Sequence, residues 1–387
     1  MINTLILYVV VEIWALIFMY IAEKKKDLKI IIGKNKISAS IFLMAISIMP
    51  LLILIIFRDT SVGTDYLTHI NTYKELANNN LTEQQNSWWG IGFKTLANIF
   101  IFFFENNYRV FFSFIGVITL ILIYNEIWKN SKKPVFSLFI YFSLCLYYQI
   151  FNQMRQMLAI SVVFYALRFI RNKNIWKYVF CIIIASTLHN TAIIALPIGI
   201  LPYIKLTKKT YIFYGIIMVI IWFLYSKIVS ILGGTYYGSV YFDNLQYDIS
   251  FKMSTILNLL LRIMMMVTCI FFYNKNKKND IIAQKKKDLD DDFNTTLIQM
   301  TIICTIIQLL AIKSYIFARL TTYYFIAYII LIPNIFENMK SAWRKIILIG
   351  TIIFFGAYHV FYFTSENGKE SGYQEYKFLS IGEEKYD

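Results

Sequence analysis

Charge is scarce in this chain. Asp, Glu, Lys and Arg make up 16% of its 387 residues, and hydrophobic residues make up 58%. A soluble domain carries about 25% charge, so the shortage excludes an ordinary soluble globular protein. Cysteine is scarce as well. Cys145, Cys181, Cys269 and Cys304 stand singly, with no C-x-x-C spacing, and read as apolar packing residues, implying neither a disulfide nor a metal site. A Walker A loop and a G-x-G-x-x-G fingerprint are both absent, so nothing in the sequence suggests ATP or a dinucleotide. The first apolar segment lacks a basic stretch ahead of it and a small-residue cleavage site behind it. It is expected to remain as a membrane anchor. No cofactor and no metal is expected.

What is present is a succession of long apolar runs. A bilayer core of ~30 Å needs about 20 apolar residues of helix. Backbone groups in lipid must be satisfied within the segment, so helices are the default. A transmembrane barrel would show short alternating segments, and stretches such as 40–57 and 214–225 do not alternate. The expected fold is therefore all-α: a polytopic membrane protein with about twelve transmembrane helices, at 2–22, 37–57, 108–128, 134–151, 156–171, 176–188, 190–204, 210–232, 253–273, 294–312, 318–338 and 346–363. Residues 1–363 read as a single integral membrane domain and 364–387 as an outward-facing tail.

The formal net charge of +15 does not point to nucleic acid, because the basic residues sit in short loops between spans. With loops 23–36, 129–133, 171–177, 205–209, 274–293 and 339–345 inside, 24 of the 38 Lys and Arg residues face the cytoplasm and 9 face outward. That asymmetry predicts both termini outside. The short apolar stretch 93–104 cannot be a full crossing in this scheme, since every later loop would then invert. It is expected to be an interfacial or re-entrant helix on the outer side. The short runs 176–188 and 190–204 are expected to form a tight hairpin turning at His189. The charged loop 274–293 reads as a solvated cytoplasmic linker.

Polar residues that face outward, or that sit at membrane depth, are the candidates for function. The outer loop 58–107 opens with Arg58, Asp59, Gly63, Asp65 and Tyr66. Gly63 permits a tight bend, and Asp65 with Tyr66 offers an acceptor and an aromatic face suited to a sugar. The alternative is a plain polar loop with Arg58 snorkelling to the interface. A second cluster, NQMRQ at 152–156, sets Arg155 between Asn152 and Gln156. An outward arginine runs against the inside bias of the other cations, and its planar fork suits phosphate. His189 is either a hydrogen-bonded structural residue or a proton acceptor. Arg319 lies one turn ahead of Tyr323 and Tyr324. Arg262 sits within LNLLLRIMMM, where an ionised side chain at membrane depth needs a partner; Glu12 is one candidate partner.

In their order along the chain these clusters resemble the EpsG/Wzy-like family of bacterial surface-polysaccharide polymerases. The residues that carry the resemblance are FRDTSVGTDYLTHINTY at 57–73, NQMRQ and the following stretch through HNTAIIALP to 200, and RLTTYYF at 319–325. The family often carries an acid ahead of the Gly-Phe that follows the first loop, whereas SWWGIGF at 87–93 has none. The resemblance implies glycosyl transfer on the outer side of the bacterial cytoplasmic membrane. The substrate would be an undecaprenyl-pyrophosphate-linked oligosaccharide, with no nucleotide required and with a chain-length regulator protein as a possible partner. In that chemistry Arg58, Arg155 and Arg319 would meet the pyrophosphate. Asp65 or His189 would take the acceptor proton. Asp59, Gly63, Tyr66, Asn152, Gln156, Arg262 and Tyr323 would contact substrate, and Trp88 and Trp89 would stack on sugar faces. A flippase for lipid-linked sugars and a glycan ligase are the alternatives. The first might show internal symmetry, which the five prolines do not display; the second uses the same donor.

Overall fold

A computed structural model describes residues 1–379 except 33–34, 83–84, 86–87, 228–252, 283–288, 315 and 340. The end of the run 210–232, part of loop 274–293 and the last residues of the tail therefore lie outside the described residues. The chain is an all-α membrane protein. Its helices are α1 (Ile2–Lys24), α2 (Ala39–Ile56), α3 (Tyr66–Ala77), α4 (Ile91–Phe104), α5 (Tyr108–Asn130), α6 (Pro134–Ser143), α7 (Gln149–Asn152), α8 (Met154–Arg171), α9 (Ile175–Leu188), a 3-10 helix (Asn190–Tyr203), α10 (Lys208–Phe223), α11 (Met253–Ile282), α12 (Leu289–Leu310), α13 (Ile316–Phe325), α14 (Ala327–Glu337), α15 (Ser341–Thr364) and α16 (Glu366–Glu370). One antiparallel hairpin, Lys29–Ile32 with Asn35–Ser38, joins α1 to α2, pairing Lys29 with Ser38 and Ile32 with Asn35.

Among the described residues, seven helices are long and apolar enough to cross a membrane: Ile2–Lys24, Ala39–Ile56, Tyr108–Asn130, Met253–Lys277, Asp291–Leu310, Phe317–Glu337 and Arg344–Thr364. They account for seven of the twelve crossings expected from the sequence; the other five are shorter, broken or more polar. The run 134–151 is broken because α6 ends at Leu144, Cys145 takes a left-handed φ of +56°, and the chain re-forms a helix only at Gln149. The run 190–204 is a 3-10 helix containing Pro197 and Pro202, each of which removes a backbone donor. The linker reading of 274–293 is corrected over 274–282, where α11 continues, and over 289–293, where α12 begins.

Local signals set several ends. Pro134 opens α6, where a missing N–H costs nothing. The Asn107 side chain accepts from the Val110 amide at the start of α5, and Thr207 with Thr210 forms a capping box on α10.

The chain packs as two compact units: Met1–Tyr165, Thr187–His189 and Lys340–Asp387 in the first, and Ala166–Ser186 with Asn190–Met339 in the second. In the first unit α1 lies along α2. Ser47 donates to the Ala15 carbonyl at 2.7 Å and Trp14 to the Ile46 carbonyl at 3.0 Å. Helix α4 packs against α3 and the start of α5. Phe93 and Phe100 both reach Phe111, with ring centroids 5.3 and 5.4 Å apart, and Phe100 also meets Phe114. At 14 residues, or about 21 Å, α4 is too short to span.

In the second unit, α12 carries a row of buried polar side chains, and two of them, Gln299 and Asn294, tie it to its neighbours. Gln299 donates to the Leu201 and Ile204 carbonyls and accepts from Tyr214 at 2.8 Å. Asn294 accepts from Asn334 at 3.1 Å.

Candidate functional site

In the first unit, three segments distant in sequence converge. They are the loop 57–65 that follows α2, the α7–α8 junction at 151–156, and the tail 372–379. Gly63 has a φ of +96°, and a Cβ there would fall on the Phe151 carbonyl. Only glycine combines that backbone angle with that approach. The Gly63 amide donates to the Gly372 carbonyl at 3.0 Å, and Gly372, at φ +71°, lies against Thr64. The tail then runs antiparallel to the loop. Asp59 donates to the Lys377 carbonyl at 3.0 Å and Leu379 donates to the Phe57 carbonyl at 2.9 Å. Tyr376 fixes the tail to two helices through its amide on Thr4 and its hydroxyl on the Leu54 carbonyl. The tail, expected to face outward, is packed into the first unit through residue 379.

Arg58 is buried at the centre of this arrangement, 3% exposed. Its guanidinium lies 3.7 Å from the Tyr66 ring centroid, donates to the Phe151 carbonyl at 2.7 Å and contacts the Met154 sulfur at 3.0 Å. Burial lowers its proton affinity below the ordinary value, and Tyr66 counteracts that. Asn152 holds the loop from the other side, its Oδ1 accepting from the Asp65 amide at 2.7 Å and the Thr64 hydroxyl at 3.0 Å. The Asp65 carboxylate sits half-buried at the start of α3. Asp59 caps the same turn by accepting from the Ser61 amide and hydroxyl. Burial pushes its carboxyl up, but those hydrogen bonds outweigh it and the net shift is downward.

One turn further along the junction, Arg155 is 4% exposed. Its Nη1 donates to the Trp88 carbonyl at 2.6 Å, and its Cζ lies 4.3 Å from the Trp88 ring centroid and 5.9 Å from that of Phe93. Cation–π contact of this kind strengthens as water is excluded. Gln156 follows, also buried. The indole of Trp88 is stacked on His69, centroids 5.3 Å apart and planes 12° apart. Trp89 turns inward, 1% exposed, against Phe93. The sugar-stacking role expected of both tryptophans thus becomes, for Trp89, a place in the core. His189 is half-buried, and Thr187, two residues before it, packs against Gly92 at the start of α4. The first unit therefore brings together Arg58, Asp59, Gly63, Asp65, Tyr66, Asn152 and Arg155.

His69 and Met154 were not picked out in the sequence. His69 lies one turn past Asp65 on α3, and that spacing is the only signal that could have found it.

Arg262, Arg319 and Tyr323 belong to the second unit. The Tyr323 hydroxyl meets that of Thr191 at 3.1 Å, and Tyr324 donates to the Ile194 carbonyl. Arg319, half-buried, lies four residues before Tyr323 and so on the same face of α13. Arg262 donates to the Cys304 sulfur at 3.0 Å, with its guanidinium 4.3 Å from the Phe325 ring centroid. Glu12, the acid considered as a partner for Arg262, instead accepts from Tyr148 and faces His359. Among the described residues no group of three or more His, Cys, Asp or Glu side chains is placed to hold a metal ion.

The sequence pattern of the EpsG family matches residues 41–378, most of the chain. The chain belongs to the EpsG family. Membership assigns it a polymerase-type role in surface-glycan biosynthesis, and the apolar helices make it a membrane protein. No curated protein and no solved structure matches it.

Proposed function

We propose that this EpsG-family protein is a polysaccharide polymerase on the outer side of the bacterial cytoplasmic membrane. It transfers a glycan chain from one undecaprenyl-pyrophosphate carrier to the terminal sugar of a second lipid-linked repeat unit. The observation that carries the reading is Arg155, a buried guanidinium between Asn152 and Gln156, held by the Trp88 ring and carbonyl.

In the proposed step the acceptor hydroxyl oxygen attacks the anomeric carbon of the donor. The bond from that carbon to the pyrophosphate oxygen breaks, and its electron pair leaves on the lipid pyrophosphate. A positioned cation is worth most where such charge develops, in a site that excludes water. Arg155 supplies it, with Arg319 as a second candidate. Arg58 is committed to the Phe151 carbonyl and the Tyr66 ring, which favours for it the task of holding the loop. The acceptor proton passes to Asp65 or to His189. Asp65 is favoured because Asn152, three residues from Arg155, holds its amide. Asp59, Gly63 and Tyr66 shape the loop, and Gln156 contacts substrate beside Arg155. A chain-length regulator is the proposed protein partner, and nucleic acid is not one.

The test is deletion in the native cell with gel analysis of surface glycan. Loss of a polymerase leaves one repeat unit attached. No surface glycan at all would indicate a flippase, and polymer retained on its lipid carrier would indicate a ligase; either result overturns the proposal.

A further inference from the structure

Deep in the first unit, three titratable side chains from three elements face one another. Glu12 lies midway along α1, Tyr148 in the break between α6 and α7, and His359 near the end of α15. All are buried, at 8%, 0% and 5% exposure. Tyr148 donates its hydroxyl to Glu12 Oε1. His359 Nε2 stands 3.9 Å from Glu12 Oε2 and is a buried nitrogen with no hydrogen-bond partner among the described residues. On the other side of the ring, His359 Nδ1 lies 3.1 Å from the Phe142 carbonyl oxygen.

The chemistry of these contacts fixes where protons sit. A carbonyl oxygen only accepts, so Nδ1 carries a hydrogen and donates it. In the neutral ring Nε2 is then a bare lone pair, and it faces a carboxyl oxygen. Two acceptors facing each other in a dry interior repel. One proton between them removes the conflict, either as a carboxylic acid beside imidazole or as a carboxylate beside imidazolium.

The geometry assigns to Glu12, Tyr148 and His359 a binding site for a single proton within the membrane-spanning part of the protein, one that couples pH to the glycan-transfer site. The coupling follows from connectivity. The break that holds Tyr148 leads directly into Asn152 and Arg155, and α15 leads through α16 into the tail that straps loop 57–65. The other titratable groups facing the site are Tyr8 on α1, Cys145 and Tyr147 in the break, and Tyr373 in the tail. Phenols and thiols are neutral near pH 7, so the pair carries the pH response. Loss of the proton leaves a carboxylate against a lone pair, so the packing of α15 weakens on the alkaline side. Glu12 and His359 are positioning residues here, remote from substrate.

Glu12→Gln separates this role from a merely structural one. Its amide oxygen still accepts from Tyr148, and its NH2 donates to Nε2 without any titrating proton. Nitrogen NMR of labelled protein, with His359→Gln identifying the signal among the three histidines, reads the ring directly. Thermal midpoints from about pH 6 to about pH 9 read the packing. The wild type should lose one proton from the pair and unfold at a lower temperature on the alkaline side, and Glu12→Gln should show neither change. Tyr148→Phe, which removes only the donor that favours the carboxylate, should move the wild-type transition upward by about one pH unit. Identical His359 titration in wild type and Glu12→Gln, or no displacement in Tyr148→Phe, overturns the proton site. The effect on glycan transfer rests on the polymerase reading, and its readout is polymer formed by membranes from lipid-linked repeat units across the same pH range. If His359 and the thermal midpoints behave as stated while no variant makes polymer, the polymerase reading fails and the proton site stands. If polymer forms but its pH profile is unchanged by Glu12→Gln, the coupling is overturned.

Discussion

Ending the chain after Ser371 removes the strap over loop 57–65, and the structure sets the size of the effect. Nine hydrogen bonds disappear: Gly63 to Gly372, Asp59 to Lys377, Leu379 to Phe57, Tyr8 to Tyr373, the Tyr376 amide and hydroxyl to Thr4 and Leu54, the Gln374 side-chain amide to the Phe363 and Ser365 carbonyls, and the Gly372 amide to Lys369. At about 1 kcal/mol net each they contribute about 9 kcal/mol. Releasing eight tail residues returns backbone entropy of comparable size, about 1 kcal/mol per residue. These terms nearly cancel. The burial of Tyr373 and half-burial of Tyr376 remain as the net loss, on the order of 2 kcal/mol. A protein of this size should therefore unfold only about 2–3 °C lower. The loop is affected more. The Asp59 and Gly63 amides lose their partners and Arg58 loses one wall of its pocket, so polymer formation should fall at least about tenfold, the factor for 1.4 kcal/mol of misplacement. A chain ended after Leu379 keeps all nine bonds and is the control. The assay pairs thermal unfolding of purified protein with gel analysis of glycan length in cells at equal protein level. Full-length glycan from the shorter chain at normal abundance would refute the view that the strap holds the loop.

Four further outcomes are expected. Arg155→Lys keeps charge but loses the planar fork that lies on Trp88 and reaches its carbonyl, so it should cripple polymer formation with abundance unchanged; full activity would remove Arg155 from the site. Asp65→Asn should lower the transfer rate by about 10²–10⁴-fold while lipid-linked substrate still binds; the same loss from His189→Gln alone would move the base to His189. Arg262→Met should keep the protein folded, because the Phe325 and Cys304 surroundings accept a thioether, and a loss of polymer at normal abundance would then place Arg262 on the substrate. In a Cys181→Ser background an impermeant thiol reagent applied to intact cells should label Asn80→Cys and spare Lys25→Cys; the reverse pattern would invert the proposed topology.

The sequence alone was enough for the class of protein. Long apolar runs need no tertiary information to demand a bilayer, because the hydrocarbon core sets their length and the backbone must bond within each segment. The order of the polar clusters was enough for the family. Legibility ended where distance along the chain ended. Arg58 reads on paper as an outward cation, yet in space the Phe151 carbonyl, 93 residues away, turns it inward. Trp89 reads as a sugar platform and is core. The tail reads as an appendage and is a strap, because its bonds are backbone amides and carbonyls, which every sequence possesses and which therefore leave no mark in residue types. Glu12 gained Tyr148 and His359 as partners from positions 136 and 347 residues distant. Composition and periodicity report what each segment does with its solvent; which segments meet is decided only by the packing of the whole unit, where a few buried polar groups must each find a partner.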